Sequence, residues 1–371
     1  MVKISIISDI CPTHDWQDLF DSGTAETLAV GLKGLVSASD YCVANLECPI
    51  TNSVTKIRKS GPNQKGKESD LGVLKDIGVN AFSLANNHIK DYGSCGVLDT
   101  IEYLKKHQFD WFGAGNDINH MKNSLNVRLK DKSITFISFA EEEFNLANQK
   151  EAGANGFDPY CSGQLIQRLK SEADYVIVLY HGGIEHYAYP SPELMKKCRF
   201  MVDLGADCVI CQHSHCIGTY EYYKNGYILY GQGNGIFGYR LNSETWNEGL
   251  LLNIIINDSI TIEYNMMYAT SRGIKVCDDK KRLSKFHKES EKIASYEFII
   301  SEWSKFCKSK EALDLPQLYG WNKNLVRLNR ILCGSLCRIL VSKRSRMTSM
   351  NYIRCDALRE VLKTCLQDEF Q

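Results

Sequence analysis

A chain of 371 residues with 44% hydrophobic side chains has the apolar surface for one large buried core and room for an appendage. Its 44 Lys and Arg balance 44 Asp and Glu, so it lacks the basic excess of a nucleic-acid binder, and no nucleic-acid partner is expected. The balance is uneven along the chain: from Lys275 onward there are 20 Lys and Arg against 12 Asp and Glu, which leaves 24 against 32 before it, an acidic body of −8 carrying a basic tail of +8.

The opening MVKISIISDI is apolar but soon closed by an acid, too short for a signal peptide or a spanning helix. Fifteen cysteines, odd in number and set in apolar runs such as Tyr41-Cys42-Val43, read as buried free thiols of a reducing compartment. The expected location is therefore cytoplasmic. β-Branched apolar runs at 2–8, 41–46, 80–85, 133–139, 174–180 and 206–211 predict buried strands, and amphipathic stretches at 24–37, 94–107, 158–172 and 191–204 predict helices between them. That alternation is the pattern of βαβ units and assigns the chain to the α/β class. Asp158-Pro159 and Ser191-Pro192 each place a capping side chain before a proline suited to the first helical position. The polar segment 53–70 lacks periodicity and reads as a mobile loop over the site. From about 219 hairpins take over, with an Asn-Gly turn in TYEYYKNGYILY and an Asn-Asp turn in LLNIIINDSITIEYNMMY. After about 275 the strands stop, and 278–309, 322–344 and 351–367 predict helices, broken near Pro316 and Gly320. The expected division is a main α/β domain over 1–273 and a basic helical extension over 274–371.

Five segments put polar side chains where predicted strands end, the edge at which open α/β sheets build their sites. They are ISD (Asp9), ANLE (Asn45, Glu47), LANNHIKDYG (Asn86, Asn87, His88, Asp91), LYHGGIEH (His181, Glu185, His186) and ICQHSH (His213, His215). Each alone has an ordinary explanation: Asp9 can cap a turn, Glu47 can be a solvated loop carboxylate, and His181 after VIVLY can be a satisfied core histidine. Together they mix hard oxygens with imidazoles, a donor set suited to Mn, Fe or Zn, in which a carboxylate can bridge two ions about 3.5–4 Å apart. One further histidine could protonate a leaving group. The stretch CVICQHSHC at 208–216 also contains C-x-x-C, but Cys208 and Cys211 lie three apart on a strand and face opposite sides, which argues against a zinc knot.

In this order the segments, extended as ANLECPIT (44–51), SLANNHIKDYG (83–93), GAGND (113–117), YHGGIE (180–185), LGADCVICQHSH (204–215) and ILYGQGNGIF (228–237), resemble the CapA family of bacterial capsule and poly-γ-glutamate synthesis proteins, over about residues 3–270. That family looks like a branch of the calcineurin-like metallophosphoesterases. The resemblance implies a layered α/β/β/α sandwich, a pair of divalent ions at the carboxyl edge of its strands, and metal-dependent hydrolysis of a phosphoester or γ-glutamyl-type amide in a polymer or its precursor. Carried over, it makes Asp9, Glu47, Asn87, His181, His213 and His215 metal ligands, with Glu47 bridging, and His88 the proton donor. Glu185 matches the acidic residue after the His-x-Gly turn, while Asn45, Asn86, Asp91 and Asn234 line the site. Three positions depart from the metallophosphoesterase pattern: Cys11 where Asp-x-His has its histidine, and Ser8 and Gln212 where glycines are usual. They suggest the alternative of a non-catalytic assembly factor that partners a polymer synthase or transporter.

In the tail, NKNLVRLNRILCGSLCRILVSKR sets Leu325, Leu328, Ile331, Leu332, Leu336, Ile339 and Leu340 on one helical stripe, with Arg327, Arg330 and Arg338 elsewhere. Such a helix docks on the main domain or, helped by Lys343, Arg344 and Arg346, lies on anionic lipid through 322–346 at the inner membrane face.

Overall fold

The computed structural model of the chain describes residues 1–12 and 14–368. Two β-sheets pack face to face, and helices cover the outer face of each. The first sheet runs in the order Gly273–Cys277, Ile260–Thr270, Glu248–Ile256, Val2–Ile10, Tyr41–Leu46, Ala81–Ser83 and Asp110–Phe112, with the short Ala29–Val30 at its outer edge and Asn234–Ile236 beside the end of Val2–Ile10. The second runs Tyr220–Tyr223, Gly226–Leu229, Cys208–Gln212, Tyr175–His181, Lys132–Ala140 and Ser124–Leu129.

The period-2 alternation of the strands divides their side chains between three cores. Ile4, Ile6 and Val43 of the first sheet meet Phe136, Ile177, Leu179 and Ile210 of the second between the sheets. Ile7, Ala44 and Phe82 turn outward onto Leu71, Leu74, Val97 and Ile101 of the helices Asp70–Ile77 and Gly93–Lys106. On the other side Val178, Tyr180 and Val209 pack under Ile166, Leu194 and Met201 of the helices Pro159–Glu172 and Pro192–Asp203. The order is thus α/β/β/α. Cys208 falls in the inter-sheet core and Cys211 in the outer one, on opposite faces.

Both proline-started helices are capped as their sequences require: Asp158 accepts from Tyr160 N and Ser191 from Leu194 N. The stretch 24–37 is two helices, Ala25–Leu28 and Leu32–Ser37, because Gly31 takes φ 80° between them. The Asn-Gly hairpin turns one residue early, on Lys224 and Asn225, with Gly226 already paired to Tyr223. The segment 53–70 is not a loose loop but a strap tied down along its length. Thr51 N bonds Gly66 O, Ile57 N bonds Asp91 O, and Gln64 N bonds the Asp91 carboxylate.

Two compact units appear, Met1–Ile299 and Ile300–Gln371. The first runs past the division at 273 because the helix Lys280–Lys292 buries Phe286 in the inter-sheet core, and Ile293 and Ile299 join the outer one. In the second, the stripe over 322–344 is not one helix: Cys333 (φ 49°) and Gly334 (φ 82°) separate Lys323–Ile331 from Ser335–Leu340. Asn329 ties the unit together, donating to Ala312 O and accepting from Cys337 N. Val326, Cys337 and Val341 are buried, whereas Leu325, Leu328, Ile331, Leu332, Ile339 and Leu340 are exposed. Among the described residues no helix is long and apolar enough to cross a membrane.

Candidate metal centre

The parallel strands Val2–Ile10, Tyr41–Leu46 and Ala81–Ser83 of one sheet and Tyr175–His181 and Cys208–Gln212 of the other carry their polar ends to a common point. At Asp9 the pairing with both neighbours shifts register, a bulge that re-aims its carboxylate. Asp9 Oδ1 accepts from Asn45 Nδ2 (2.8 Å) and Oδ2 from the backbone N–H of His213 (3.0 Å). Burial, and then the charge of Glu47, push its carboxyl up to about 8.

Glu47 is fully buried, and among the described residues neither of its carboxylate oxygens has a hydrogen-bond partner. Its Oε1 stands 3.4 Å from His181 Nε2 and 3.9 Å from His215 Nε2. Burial drives its carboxyl well above the usual range. Around His181 Nε2, Asn87 Oδ1 (3.0 Å) and His213 Nδ1 (3.2 Å) crowd in beside Glu47. A single proton cannot satisfy three acceptors, whereas a cation can. Burial pushes the His181 imidazole down to about 4 and, with His181 next to it, that of His213 down to about 3. Burial thus favours the neutral form of both rings, the form that ligates metal.

His213 and His215 lie just past the strand end, in left-handed backbone (φ 88° and 51°) that β-carbons disfavour, and the Asp9 carboxylate holds the first of them through its N–H. His215 Nδ1 meets Asn234 Oδ1 at 2.9 Å, and Asn234 Nδ2 donates to Trp246 O, which fixes the amide orientation. Nδ1 of His215 therefore carries the proton, and its Nε2 keeps a free lone pair. Two donor groups result, Glu47 with His181 and His213, and Asp9 with Glu47 and His215, each with ligand atoms within 4.8 Å of one another. Glu47 is common to both, and Asn87 Oδ1 adds a fourth donor to the first. Orphaned carboxylate oxygens facing neutral imidazoles fit a divalent cation, or two.

The other anticipated residues take distinct places. Asn86 donates to Asn45 Oδ1 and Leu46 O and accepts from His88 N, bracing the ligand loops rather than facing the centre. His88 Nδ1 lies 2.7 Å from Asp91 Oδ2. Glu185, its side chain 54% exposed, stays at the rim beside His186 and acts on the centre only through its charge. Cys11 packs in the core, its thiol raised by Cys48 and by burial, and belongs to neither donor group.

Four residues of the site were not anticipated. Glu143 reaches within 3.9 Å of His213 Nε2; it follows the apolar run 133–139, so the strand-end signal was present in FAEEEFN. Lys59 arrives on the strap. Trp246 packs against His215 with ring centroids 4.6 Å apart and the planes tilted by 44°, and Arg240 lies over Trp246; no local pattern marks either.

A layered α/β/β/α fold with a carboxylate–histidine centre at the shared strand edge defines the class: a fold with a potential metal site built from both sheets. The model of the family described as "Bacterial capsule synthesis protein PGA_cap" matches residues 3–239, and the chain belongs to that family. It is 31% identical over 208 residues to the capsule biosynthesis protein CapA of Bacillus anthracis (54% of this chain, 51% of that protein). It is 28% identical over 242 residues to the PGA biosynthesis protein CapA of Bacillus subtilis (strain 168), covering 64% and 63% of the two chains. The match thus spans between half and two thirds of these relatives' lengths. A hypothetical protein from Thermus thermophilus superposes with a TM-score of 0.48 at 13% identity, over 72% of this chain and 100% of that one.

Proposed function

We propose that the chain is a metal-dependent hydrolase of cell-surface polymer biosynthesis, cleaving a phosphoester or a γ-glutamyl-type amide in a polymer or its precursor. Glu47 carries the proposal: a fully buried carboxylate with both oxygens unpartnered among the described residues, common to two groups of ligand atoms. Asn87, Glu47, His181 and His213 would hold one divalent ion and Asp9, Glu47 and His215 a second, with Mn, Fe or Zn suited to such mixed donors. Ions bound there supply Lewis acidity and an acidified water as nucleophile. Asn234 keeps His215 in the ligating tautomer. His88, held by Asp91, carries the proton for the leaving group. At the rim Glu185 and Arg240 offer opposite charges to an incoming chain.

The metal-loaded protein should release chromophore from either bis(p-nitrophenyl) phosphate or γ-glutamyl-p-nitroanilide, and His213→Ala should abolish it. Turnover of neither would favour a second reading, a non-catalytic partner of a capsule synthase or transporter. Cys11 motivates that reading, since its burial outside both donor groups leaves the Asp9 group with three donors.

We also infer a peripheral contact between 322–346 and anionic lipid, placing the protein at the cytoplasmic membrane face. Exposed Leu325, Leu328, Ile331, Ile339 and Leu340 beside Arg327, Arg330 and Arg338 support it. Failure to co-sediment with phosphatidylglycerol vesicles at low salt would refute it.

A further inference from the structure

The strap over 53–70 brings into the site a cation that the chemistry above does not use. Lys59 is the last residue before Ser60-Gly61, where Gly61 takes φ 86° and turns the chain back. Its side chain is 3% exposed, although its neighbours Arg58 and Ser60 are exposed. Its Nζ forms an ion pair with Oδ1 of Asp91, which is itself 0% exposed, and stands 3.2 Å from His88 Nδ1.

Asp91 is the hub of this arrangement. Oδ2 takes His88 Nδ1 at 2.7 Å and the backbone N–H of Gln64 at 2.6 Å. Its carbonyl oxygen takes Ile57 N and Asn63 Nδ2, both at 3.0 Å. Among the described residues Oδ1 has no hydrogen-bond partner beyond the ion pair with Lys59. The carboxylate therefore divides its work, one oxygen neutralised by the strap and the other orienting the imidazole. A buried carboxylate deprived of its counter-charge is strongly disfavoured, and it would rotate or pull the loop open. Either movement removes the fixed acceptor that holds the ring of His88.

We propose that Lys59 is a positioning residue for His88: it locks Asp91 so that the strap sets the orientation of the His88 imidazole. The charge of that ring is felt at His181 and His213. The proposal rests on His88 being the proton donor of the hydrolase. It makes the strap part of the machinery, so a chain with the strap displaced would bind metal and fail to protonate a leaving group.

The test uses the full chain loaded with Mn2+ and whichever chromogenic probe the wild type cleaves. In Lys59→Met, kcat should fall by about 10- to 100-fold, with KM within about twofold and bound metal per chain unchanged. Lys59→Arg, which keeps the charge, should recover most of the loss. Hydrogen exchange at the amides of Ile57 and Gln64 should accelerate in Lys59→Met and not in Lys59→Arg. A kcat for Lys59→Met within about twofold of wild type, whether or not the strap opens, would overturn the proposal and leave Lys59 a structural anchor. If Lys59→Met does not fold, Lys59→Gln keeps a neutral donor, and the same fall in kcat is expected. Should the wild type cleave neither probe, the hydrolase reading fails, and 15N spectra of the His88 ring still decide the positioning. A proton on Nδ1 in wild type that is lost in Lys59→Met supports it; identical ring spectra overturn it.

Discussion

At Asp9 burial outweighs every favourable contact: its carboxyl is pushed up to about 8 although Asn45 and the His213 backbone both donate to it. An unfolded aspartate titrates near 4, so between about pH 4 and 8 the metal-free folded chain holds a proton that the unfolded one lacks, and stability falls as pH rises. Glu47, raised by the same cause, adds to that sign. His181 and His213, lowered to about 4 and about 3, act oppositely, costing stability as pH falls below about 6.5. Above that the two histidines no longer contribute, and the raised carboxyls set the sign. In chelator the melting temperature should drop from pH 6.5 to 8 and flatten once metal is restored; a rise over that interval would count against two buried carboxyls raised by desolvation. Asn234→Ala should weaken metal binding by about 10- to 100-fold by freeing the His215 tautomer, measurable by competition with a chromogenic chelator. The residues that meet at the candidate centre could be picked out in sequence because each follows an apolar run, where a polar side chain must find a partner. Lys59, Arg240 and Trp246 could not, because their role comes from contacts across 29 or more positions or from ring contacts with no local period.

Among the elements, the strands over 41–46, 133–139 and 174–180 fall within a residue or two of their sequence signals, since continuous apolar runs covered on both faces have few other places to go. One misjudged element is a case where backbone dihedrals override a sound pattern. The apolar stripe of 322–344 continues across Cys333-Gly334, but left-handed dihedrals there end one helix and start another. The strap lacks periodicity because its order comes from bonds to Asp91 and Pro49, not from a packed face. Phe286 is the corresponding surprise beyond 273: a single aromatic on a very polar helix extends the first unit. Phe286→Ala should cost about 3–5 kcal/mol in chemical denaturation. A chain ended at 299 should melt as the first unit does, and one ended at 273 well below it; equal melting of the two would remove that role from the helix.

For the whole molecule, the two sheets contribute complementary halves of one centre. The first supplies oxygens from Asp9, Glu47 and Asn87, and the second supplies imidazoles from His181, His213 and His215. Neither sheet alone holds the full set of donors, because both donor groups draw residues from each of them. The most direct measurement is metal stoichiometry on the purified full chain, by inductively coupled plasma mass spectrometry after dialysis against Mn2+ and Zn2+, alongside Glu47→Gln. The structure leads us to expect one to two ions per chain in wild type and loss of the bound metal in Glu47→Gln, whose amide cannot serve two groups. Wild-type protein that retains no transition metal, or a Glu47→Gln variant that retains as much as wild type, would contradict it.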